Sequence, residues 1–400
     1  MTPSSRLDLV DALRGFAIVS IMLLHNIEHF DLYFTPTGLP AWMPSLDKGI
    51  WDTMFALFGG KSYAIFALLF GVTFQIQHDA RAARGEDFRA RFAWRMLLLL
   101  GFGLVNSMFY HGDILSLYAV LGLALIPVAR LGNRAVFLIA CFLTLQPVAW
   151  FEAWAALGQA PGKLPDPASW AYYGRANQYL MHGSVFEAWF GNLTNGKQAA
   201  VMWSWENGRI LQIPALFMFG MLAGRLGLFA VNDANRTVWR RVFFTALPLM
   251  AVLVFVHKHL EQWIAVEALR RPLSTISGPL ANFAIMLLLV TGFALVYRRQ
   301  WGARLLGVFR PLGRMSLTSY MMQSLVGTFL YHGYGLGLYR FTGSTYALLI
   351  GIALAVLQGC FSAWWLRHHR QGPLEALWQR LTWIGTTSGA QLGARSNNPG

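Results

Sequence analysis

The chain has 400 residues, of which 56% are hydrophobic and only 12% are charged, whereas an average globular domain carries roughly 25% charged residues. A soluble protein of this size needs more charge to cover its surface, so the composition excludes soluble, disordered and coiled-coil proteins. The formal net charge of +14 is scattered over short segments between apolar runs, so nucleic acid is not expected as a partner. An all-α polytopic membrane protein remains, because long apolar runs without alternation are typical of spanning helices.

Apolar runs of about 20 residues predict a bundle of ten transmembrane helices. In chain order, their approximate cores are 12–27, 51–76, 92–110, 114–129, 135–157, 210–229, 242–256, 279–297, 317–331 and 346–366. The second run contains Gly59, Gly60 and Lys61, which predicts a broken or tilted span. Cys141 and Cys360 lie inside apolar runs, so neither a disulfide nor a metal site is expected from them.

The distribution of Lys and Arg predicts the orientation of the bundle. The segments on the side of the two termini contain 21 of these residues, and the opposite segments contain nine. Because cytoplasmic loops are rich in Lys and Arg, both termini are predicted to be cytoplasmic. We predict one transmembrane domain over residues 1–385 and a flexible tail over 386–400. An aromatic-rich insertion at 158–209 is predicted on the outer side, either as interfacial helices or as a lid that stacks on sugars and lipids.

The first span carries polar groups where the membrane makes them costly. Arg14 and His25 are eleven positions apart, which on an α-helix places them within ~20° of one face and about 16 Å apart along the axis. Asp11 lies three residues before Arg14 and can pair with it. Intramembrane charges are functional candidates, so we expect this face to border a hydrated tunnel. A snorkelling Arg14 with an interfacial His25 is the structural alternative.

Two polar clusters are predicted on the outer side of the membrane. The first, at the end of the first span, comprises His25, Asn26, Glu28, His29 and Asp31. The second is the short turn with His111 and Asp113 between the third and fourth spans. A carboxylate beside an imidazole fixes the His tautomer and raises its basicity for general-base catalysis. No CxxC or HExxH motif accompanies these residues, so no metal is predicted.

The ninth predicted span begins with several hydrogen-bonding side chains. Ser316, Ser319 and Gln323 are spaced i, i+3, i+7 and therefore share one helix face. Such a face either forms hydrogen bonds with neighbouring helices or lines a polar cavity.

Six short motifs are distributed along the chain. They are DALRGFA at 11–17, FALLFGV at 66–72, DILSLYA at 113–119, GRMSLTSY at 313–320, YGLGL at 334–338 and GPLEALW at 372–378. Together they resemble the YeiB family of bacterial inner-membrane proteins, over essentially the whole chain. This family is grouped with the transmembrane acyltransferases, which include lysosomal heparan-α-glucosaminide N-acetyltransferase and the O-acetylating enzymes of acyltransferase family three.

The resemblance implies a bundle of ten or eleven helices in the bacterial inner membrane. Such a protein would take an acyl group, most simply acetyl, from cytoplasmic acyl-CoA and deliver it to an acceptor across the membrane. Acyltransferase family three has an Arg and a His in its first span, and Arg14 and His25 match that pair. The lysosomal enzyme has an Asn near the position of Asn26 and a catalytic His further on, which His29 approximates. The base therefore stays open between His25 and His29.

Acyl transfer assigns an expected role to each polar group. His25 would accept a proton from the acceptor hydroxyl or amine during its attack on the thioester, and Asp113 would orient His25 or His111. The candidates for binding acyl-CoA through its phosphates and pantetheine are Arg14, Arg95, Arg310 and Arg314. The candidates for hydrogen bonds to substrate or oxyanion are Asn26, Gln323 and Ser316.

Two other functions stay open. A transporter or flippase would use the intramembrane Arg and His as a pathway, and a span broken at Gly59 and Gly60 suits a transport site, although no inverted repeat is evident. The other is a non-catalytic envelope protein. The expected partners are membrane lipids and an acyl acceptor, which could be a lipid, a glycan or a secreted metabolite. A homodimer also stays open, because GxxxG-type spacing serves internal packing as readily as dimers.

Overall fold

The structure, a computed structural model, describes residues 3–158 and 164–384. The tail predicted at 386–400 lies outside the described residues. Within those ranges the chain forms α-helices and no strand, which confirms the predicted all-α class. The helices are α1 (Pro3–Ile27), α2 (Met43–Leu57), α3 (Ser62–Ala82), α4 (Arg89–Phe109), α5 (Leu115–Gly122), α6 (Leu125–Val128), α7 (Asn133–Thr144), α8 (Pro147–Ala155), α9 (Ala168–His182), α10 (Val185–Gly191), α11 (Lys197–Glu206), α12 (Arg209–Arg225), α13 (Asp233–Trp263), α14 (Glu267–Tyr297), α15 (Gln300–Leu306), α16 (Arg310–Arg314), α17 (Ser316–Tyr331), α18 (Ser344–His368) and α19 (Pro373–Thr382).

Among the described residues, six helical segments are long and apolar enough to cross a membrane, and the bent pair α7–α8 would make seven. The six are Asp8–Ile27, Met43–Ala82, Arg89–Phe109, Asp233–Trp263, Glu267–Tyr297 and Ser344–His368. Other predicted runs form shorter helices: α12 has 17 residues, α17 has 16, and the run at 114–129 divides into α5 and α6. These segments support a multi-span membrane protein, whereas the count of ten and the cytoplasmic termini stay predictions.

Helix α1 lies at the centre of the bundle. It contacts α2, α3, α14, α16, α17 and α18, and its Leu9, Leu13 and Ile18 side chains are completely buried. Because neighbours surround this helix on several sides, its polar residues face protein and cavities. The first span therefore supplies a polar axis through the middle of the fold.

Helices α3 and α12 approach each other closely because two glycines meet at their crossing. A Cβ added to Gly220 would overlap the carbonyl oxygen of Leu68 and lie 3.1 Å from the Cα atom of Gly71. A Cβ added to Gly71 would overlap the carbonyl oxygen of Phe217 in the same way. Only glycine at both positions allows the two helices to pack this closely.

Replacing Gly220 with Ala is expected to destabilise the protein by ~1–3 kcal/mol, because a backbone carbonyl cannot move aside without separating α3 from α12. Gly101→Ala in α4 is the matched control, since an added Cβ there meets nothing within 4 Å and helix propensity favours Ala. Thermal unfolding of both variants in detergent measures the effect. Equal unfolding temperatures would contradict this close approach.

Two breaks in the helices shape the interior. Helix α2 ends before Gly60, which has a φ of 75°, and α3 begins at Ser62, so the break predicted in the second run is confirmed. Helices α7 and α8 meet at 41°. Gln146 adopts a φ of 55° between them, Pro147 follows it, and the Gln146 amide donates to the Gly208 carbonyl oxygen at 2.9 Å. As a result α7 packs on α12, whereas α8 packs on α14.

Candidate functional site

One cavity in the bundle has a volume of about 470 Å³ and an arginine-rich lining, so we call it the arginine cavity. The lining includes Arg14, Arg81, Arg84, Arg95 and Arg314, with Glu375 as the one acidic residue among the described lining residues. The Glu375 carboxylate accepts from the backbone N–H groups of Leu317 and Thr318 at 2.7 and 3.1 Å, which caps α17. The remaining surplus of guanidinium groups suits a phosphate-bearing ligand.

Arg14 is fixed in this cavity by three neighbours. Its guanidinium donates to the Asp11 carboxylate at 2.9 Å, to the Thr73 hydroxyl at 2.9 Å and to the Gly313 carbonyl oxygen at 3.3 Å. The pairing with Asp11 that the sequence predicts is confirmed. These bonds connect α1 with α3 and α16, so Arg14 lies inside the protein rather than snorkelling to the membrane surface.

Helix α19 covers the arginine cavity through two tryptophans. The Arg95 guanidinium lies 4.2 Å from the ring centre of Trp378, and the Arg81 guanidinium lies 3.8 Å from that of Trp383. Arg91 in α4 also donates to the backbone carbonyl oxygen of Thr382 at 2.7 Å. Cation–π contacts thus attach the cover to the walls of the cavity.

The second cavity has a volume of about 1790 Å³ and is lined by His25, so we call it the histidine cavity. It lies towards the C-terminal end of α1, whereas the arginine cavity lies beside Arg14 near the N-terminal end. Helices α3, α4, α5, α8, α12 and α14 contribute to its walls. Trp170, Tyr173 and Trp203 of the aromatic insertion also line it, so the described part of the insertion lies over this cavity as a lid would.

His25 presents an unpartnered imidazole to the histidine cavity. The ring is half-buried, and its centre lies 4.6 Å from that of Tyr110, 5.6 Å from Phe30 and 6.4 Å from Tyr320. None of the hydrogen bonds among the described residues uses its ring nitrogens. Aromatic packing therefore positions this imidazole and leaves both nitrogens available to a ligand.

A left-handed turn follows α1 and brings a carboxylate to the same cavity. His29, Phe30 and Asp31 have φ values of 48°, 56° and 64°, a conformation that costs roughly 1–2 kcal/mol per residue for side chains other than glycine. The Phe30 amide donates to the His25 carbonyl oxygen at 2.8 Å, and the Phe30 ring is completely buried. Strained backbone of this kind concentrates at functional sites, and here it directs Asp31 into the cavity lining.

Glu28 and Asp31 form an acidic pair in the wall of this cavity. Burial raises the pKa of both carboxyls, and the charge of Asp31 raises the pKa of Glu28 further, whereas Arg209 lowers both. His111 lies behind them, with its Nε2 atom 3.5 Å from the Asp31 carboxylate. Burial lowers the pKa of His111 to about 4, so this imidazole is neutral near pH 7 and the contact is not an ion pair.

Asp113 has different partners from those that the sequence predicts. Its carboxylate accepts from Asn106 Nδ2 at 3.0 Å and from the Ser116 amide at 2.9 Å, and it lies 3.6 Å from Lys197 Nζ. Lys197 also donates to the Asp113 carbonyl oxygen at 3.1 Å. Burial lowers the pKa of Lys197, and Asp113 opposes this effect. The prediction that Asp113 orients His25 or His111 is wrong: Asp113 caps α5 and pairs with the insertion.

Two further candidates lie away from both cavities and have structural partners. The Asn26 amide donates to the Met22 carbonyl oxygen at 2.8 Å and accepts from the Tyr331 hydroxyl at 3.0 Å. Gln323 pairs with Gln358 of α18 at 3.3 Å, which is the interhelical alternative for the ninth span. Their predicted role as oxyanion donors is not supported, because neither side chain lines a cavity.

The remaining predicted residues divide between the sites. His29 contacts the Thr342 hydroxyl at 3.2 Å and packs on Tyr331 outside the histidine cavity, so of these two histidines His25 is the one that lines it. Arg310 pairs with Asp8 at 2.9 Å and lines neither cavity, which contradicts its predicted role in the cofactor site. Ser316 lines the arginine cavity, at the opposite end of the bundle from His25.

A thin septum separates the two cavities. The Tyr118 hydroxyl donates to the Tyr63 carbonyl oxygen at 2.6 Å, and Tyr118 lines the arginine cavity while Tyr63 lines the histidine cavity. Consecutive residues of α5 also face different cavities, Leu115 the first and Ser116 the second. Among the described residues, the two cavities are therefore distinct rather than one continuous tunnel, and a septum about one side chain thick separates them at Tyr118.

Sequence reasoning overlooked Arg209 and treated it as an orientation charge. Its guanidinium lies in the histidine cavity, 4.2 Å from the ring centre of Tyr63 and 4.0 Å from that of Trp203. Arg209 is the first residue of α12, where the helix dipole disfavours a cation. That unfavourable position is the signal that could have identified it.

No group of three or more His, Cys, Asp or Glu residues that could hold a metal ion occurs within the described ranges. The arginine cavity provides guanidinium groups, and the histidine cavity provides an imidazole and carboxyl groups.

The chain is similar to several bacterial proteins. Residues 223–385 match a family described as protein of unknown function DUF418. The chain is 26% identical to the uncharacterized protein YxaH of Bacillus subtilis over 95% of both chains. It is 28% identical to the uncharacterized protein YeiB of Escherichia coli over 93% of this chain and 95% of YeiB. A third relative, an uncharacterized 39.9 kDa protein of Bacillus acidopullulyticus, is 26% identical over 94% of both chains. No solved structure matches.

The matches to relatives extend along nearly the entire chain. They include YeiB, the protein that gives its name to the family that the six motifs resemble. The similarity to YeiB along nearly the whole chain therefore confirms the resemblance to the YeiB family that the six motifs indicate.

Proposed function

We propose that this protein is a membrane-embedded acyltransferase that moves an acyl group from cytoplasmic acyl-CoA to an acceptor on the other side of the membrane. The observation that carries the proposal is the pairing of two cavities along one helix. A phosphate-binding lining surrounds Arg14, an unpartnered imidazole stands at His25, and one layer of side chains separates them. In this proposal the arginine cavity faces the cytoplasm, in agreement with the excess of Lys and Arg on that side.

The arginine cavity would hold the phosphorylated end of acyl-CoA. The Arg84 guanidinium has no hydrogen bond or ion pair among the described residues, and the Arg314 guanidinium donates only to the Arg370 carbonyl oxygen at 3.0 Å. These two guanidinium groups are therefore available to phosphate oxygens, which they bind strongly through charge-assisted hydrogen bonds. Arg14 and Arg95, which other contacts hold in place, would border the pantetheine arm. The Tyr118 side chain would swing out of the septum so that the thioester reaches the histidine cavity.

The histidine cavity would hold the acceptor and carry out the transfer. A hydroxyl or amine of the acceptor attacks the thioester carbonyl carbon, and His25 takes its proton as the new C–O or C–N bond forms. The C–S bond then breaks, and His25 passes the proton to the departing thiolate, which releases CoA as the thiol. The Tyr320 hydroxyl oxygen accepts a hydrogen bond from the Ile114 amide at 3.3 Å, so the hydroxyl proton is free to be donated. The buried Ser116 hydroxyl has no partner. Tyr320 and Ser116 therefore replace Asn26 and Gln323 as candidates for stabilising the oxyanion.

Binding of acetyl-CoA tests the first half of this proposal. The purified protein in nanodiscs is expected to unfold at a higher temperature with acetyl-CoA, since a ligand that binds only the folded state stabilises it. Arg84→Ala combined with Arg314→Ala should abolish this shift. Arg304→Ala is the matched control, because Arg304 is exposed and lines neither cavity. The absence of a shift, or an equal shift in all three proteins, would contradict cofactor binding in the arginine cavity.

A transporter is the second candidate, because two cavities on either side of a thin septum also suit alternating access. The bent α7–α8 pair and the break between α2 and α3 are further features of such proteins. Substrate exchange by proteoliposomes without any acetyl-CoA would favour transport. Stabilisation by acetyl-CoA together with incorporation of its acetyl group into an acceptor would favour the enzyme.

A further inference from the structure

We infer that the acceptor is a membrane amphiphile whose alkyl chain enters the histidine cavity sideways from the lipid, through a mouth between α5 and α8. The role of this amphiphile as acyl acceptor rests on the proposed function, whereas its entry between α5 and α8 can be tested independently. It follows from the lining of the cavity, the positions of the two helices and the charges around His25.

The histidine cavity reaches the lipid-facing surface of the bundle. Three of its lining residues, Leu104 of α4, Val120 of α5 and Val148 of α8, are 45%, 54% and 37% exposed. Further inside, Leu117 and Leu24 continue the same lining as far as His25. Apolar side chains thus line this cavity both where it reaches the surface of the helices and beside the candidate base.

Helices α5 and α8 pack against different neighbours, which explains the opening between them. Helix α5 packs on α4 and α12, whereas the bend at Gln146 turns α8 away from α12 and onto α14. The Gln146 amide holds the bend by its bond to Gly208. A straight α7–α8 helix would continue along α12 beside α5, so the bend is what leaves the side of the cavity open.

Charge selects the class of headgroup. The described lining of the histidine cavity contains six Asp or Glu residues but three Lys or Arg residues, and the two carboxyls that follow His25 in the chain are Glu28 and Asp31. The Arg209 guanidinium already stacks on the rings of Tyr63 and Trp203. A phosphate at this position would meet the two carboxyls, which disfavours it. A neutral polyhydroxyl headgroup or an amine fits instead. It can donate hydrogen bonds to the carboxyls and pack against the aromatic rings of the insertion, Trp170, Tyr173 and Trp203. Such a headgroup also supplies the nucleophile that acyl transfer requires.

A photoreactive lipid tests the mouth directly. The protein is reconstituted into phosphatidylcholine vesicles that contain a trace of monoacylglycerol, a neutral polyhydroxyl amphiphile, with a diazirine on its acyl chain, and labelled residues are mapped by mass spectrometry after illumination. Labelling of Leu24 and Leu117 inside the cavity is expected in addition to exposed positions. Val120→Trp should reduce the interior labelling several-fold by narrowing the mouth. Leu138→Trp on α7, which is 66% exposed and lines neither cavity, should leave it unchanged.

The outcomes separate this inference from the proposed function. Labelling confined to exposed positions of the wild-type protein overturns lateral entry, even if acetyl-CoA still stabilises the protein. Interior labelling that Val120→Trp does not reduce also overturns the assigned mouth. Interior labelling that Val120→Trp blocks supports entry between α5 and α8, and a concurrent absence of acetyl-CoA binding then removes acyl transfer alone.

Discussion

Replacing His25 with Ala is expected to lower acyl transfer by about 10²–10⁴-fold, the usual contribution of a general base. The imidazole is the group that the histidine cavity leaves without a partner, and its loss removes the proton acceptor without breaking a hydrogen bond in the fold. The measurement is the transfer of radiolabelled acetyl groups from acetyl-CoA into lipids of proteoliposomes prepared from total membrane extract.

Two other histidine variants make this result specific. His182→Ala changes an exposed residue of α9 that lines neither cavity, so transfer and stability should stay at the wild-type level. His29→Ala removes a buried contact with Thr342 and should lower the unfolding temperature more than the activity of the folded protein. Wild-type transfer in His25→Ala, or a greater loss in folded His29→Ala, would exclude His25 as the base.

Replacing Asp113 with Ala is expected to destabilise the protein by about 3–5 kcal/mol, because the change leaves the ammonium group of Lys197 without its partner in a mostly buried site. The side chains of Asp113 and Lys197 are 0% and 18% exposed. The same change removes the cap of α5 at Ser116. Denaturant unfolding of the detergent-solubilised protein measures the loss.

A double-mutant cycle separates the ion pair from the cap. Lys197→Met alone removes the unpaired cation, so Asp113→Ala in that background should cost much less than in the wild type. Asp113→Ala that unfolds like the wild type but has lost acyl transfer would contradict this structural role. That outcome would return Asp113 to the catalytic role that the sequence predicts.

Local features of the first span could be predicted from the sequence. The pairing of Asp11 with Arg14 and the alignment of Arg14 and His25 along α1 depend only on helical periodicity, which short-range spacing reveals. The break near Gly60 follows from the same kind of local signal. Residues within one helix therefore gave reliable predictions of the polar axis.

Partnerships between distant segments could not be predicted. His111 and Asp113 are two positions apart, yet one contacts Asp31 and the other Lys197, because a turn directs neighbouring side chains in different directions. Arg310 lies in the Arg-rich part of the sequence, but Asp8 at the other end of the chain pairs with it. Such contacts depend on helix packing, which a single sequence does not reveal.

The septum at Tyr118 also has an electrical consequence. If water fills both cavities, the aqueous phases on the two faces of the membrane come within about one side chain of each other, so most of the transmembrane voltage falls across that layer. A charge that crosses it would then experience nearly the full potential over a few ångströms, which amounts to ~2.3 kcal/mol per elementary charge for every 100 mV. Charge movement through the protein should accordingly depend on the membrane's polarisation.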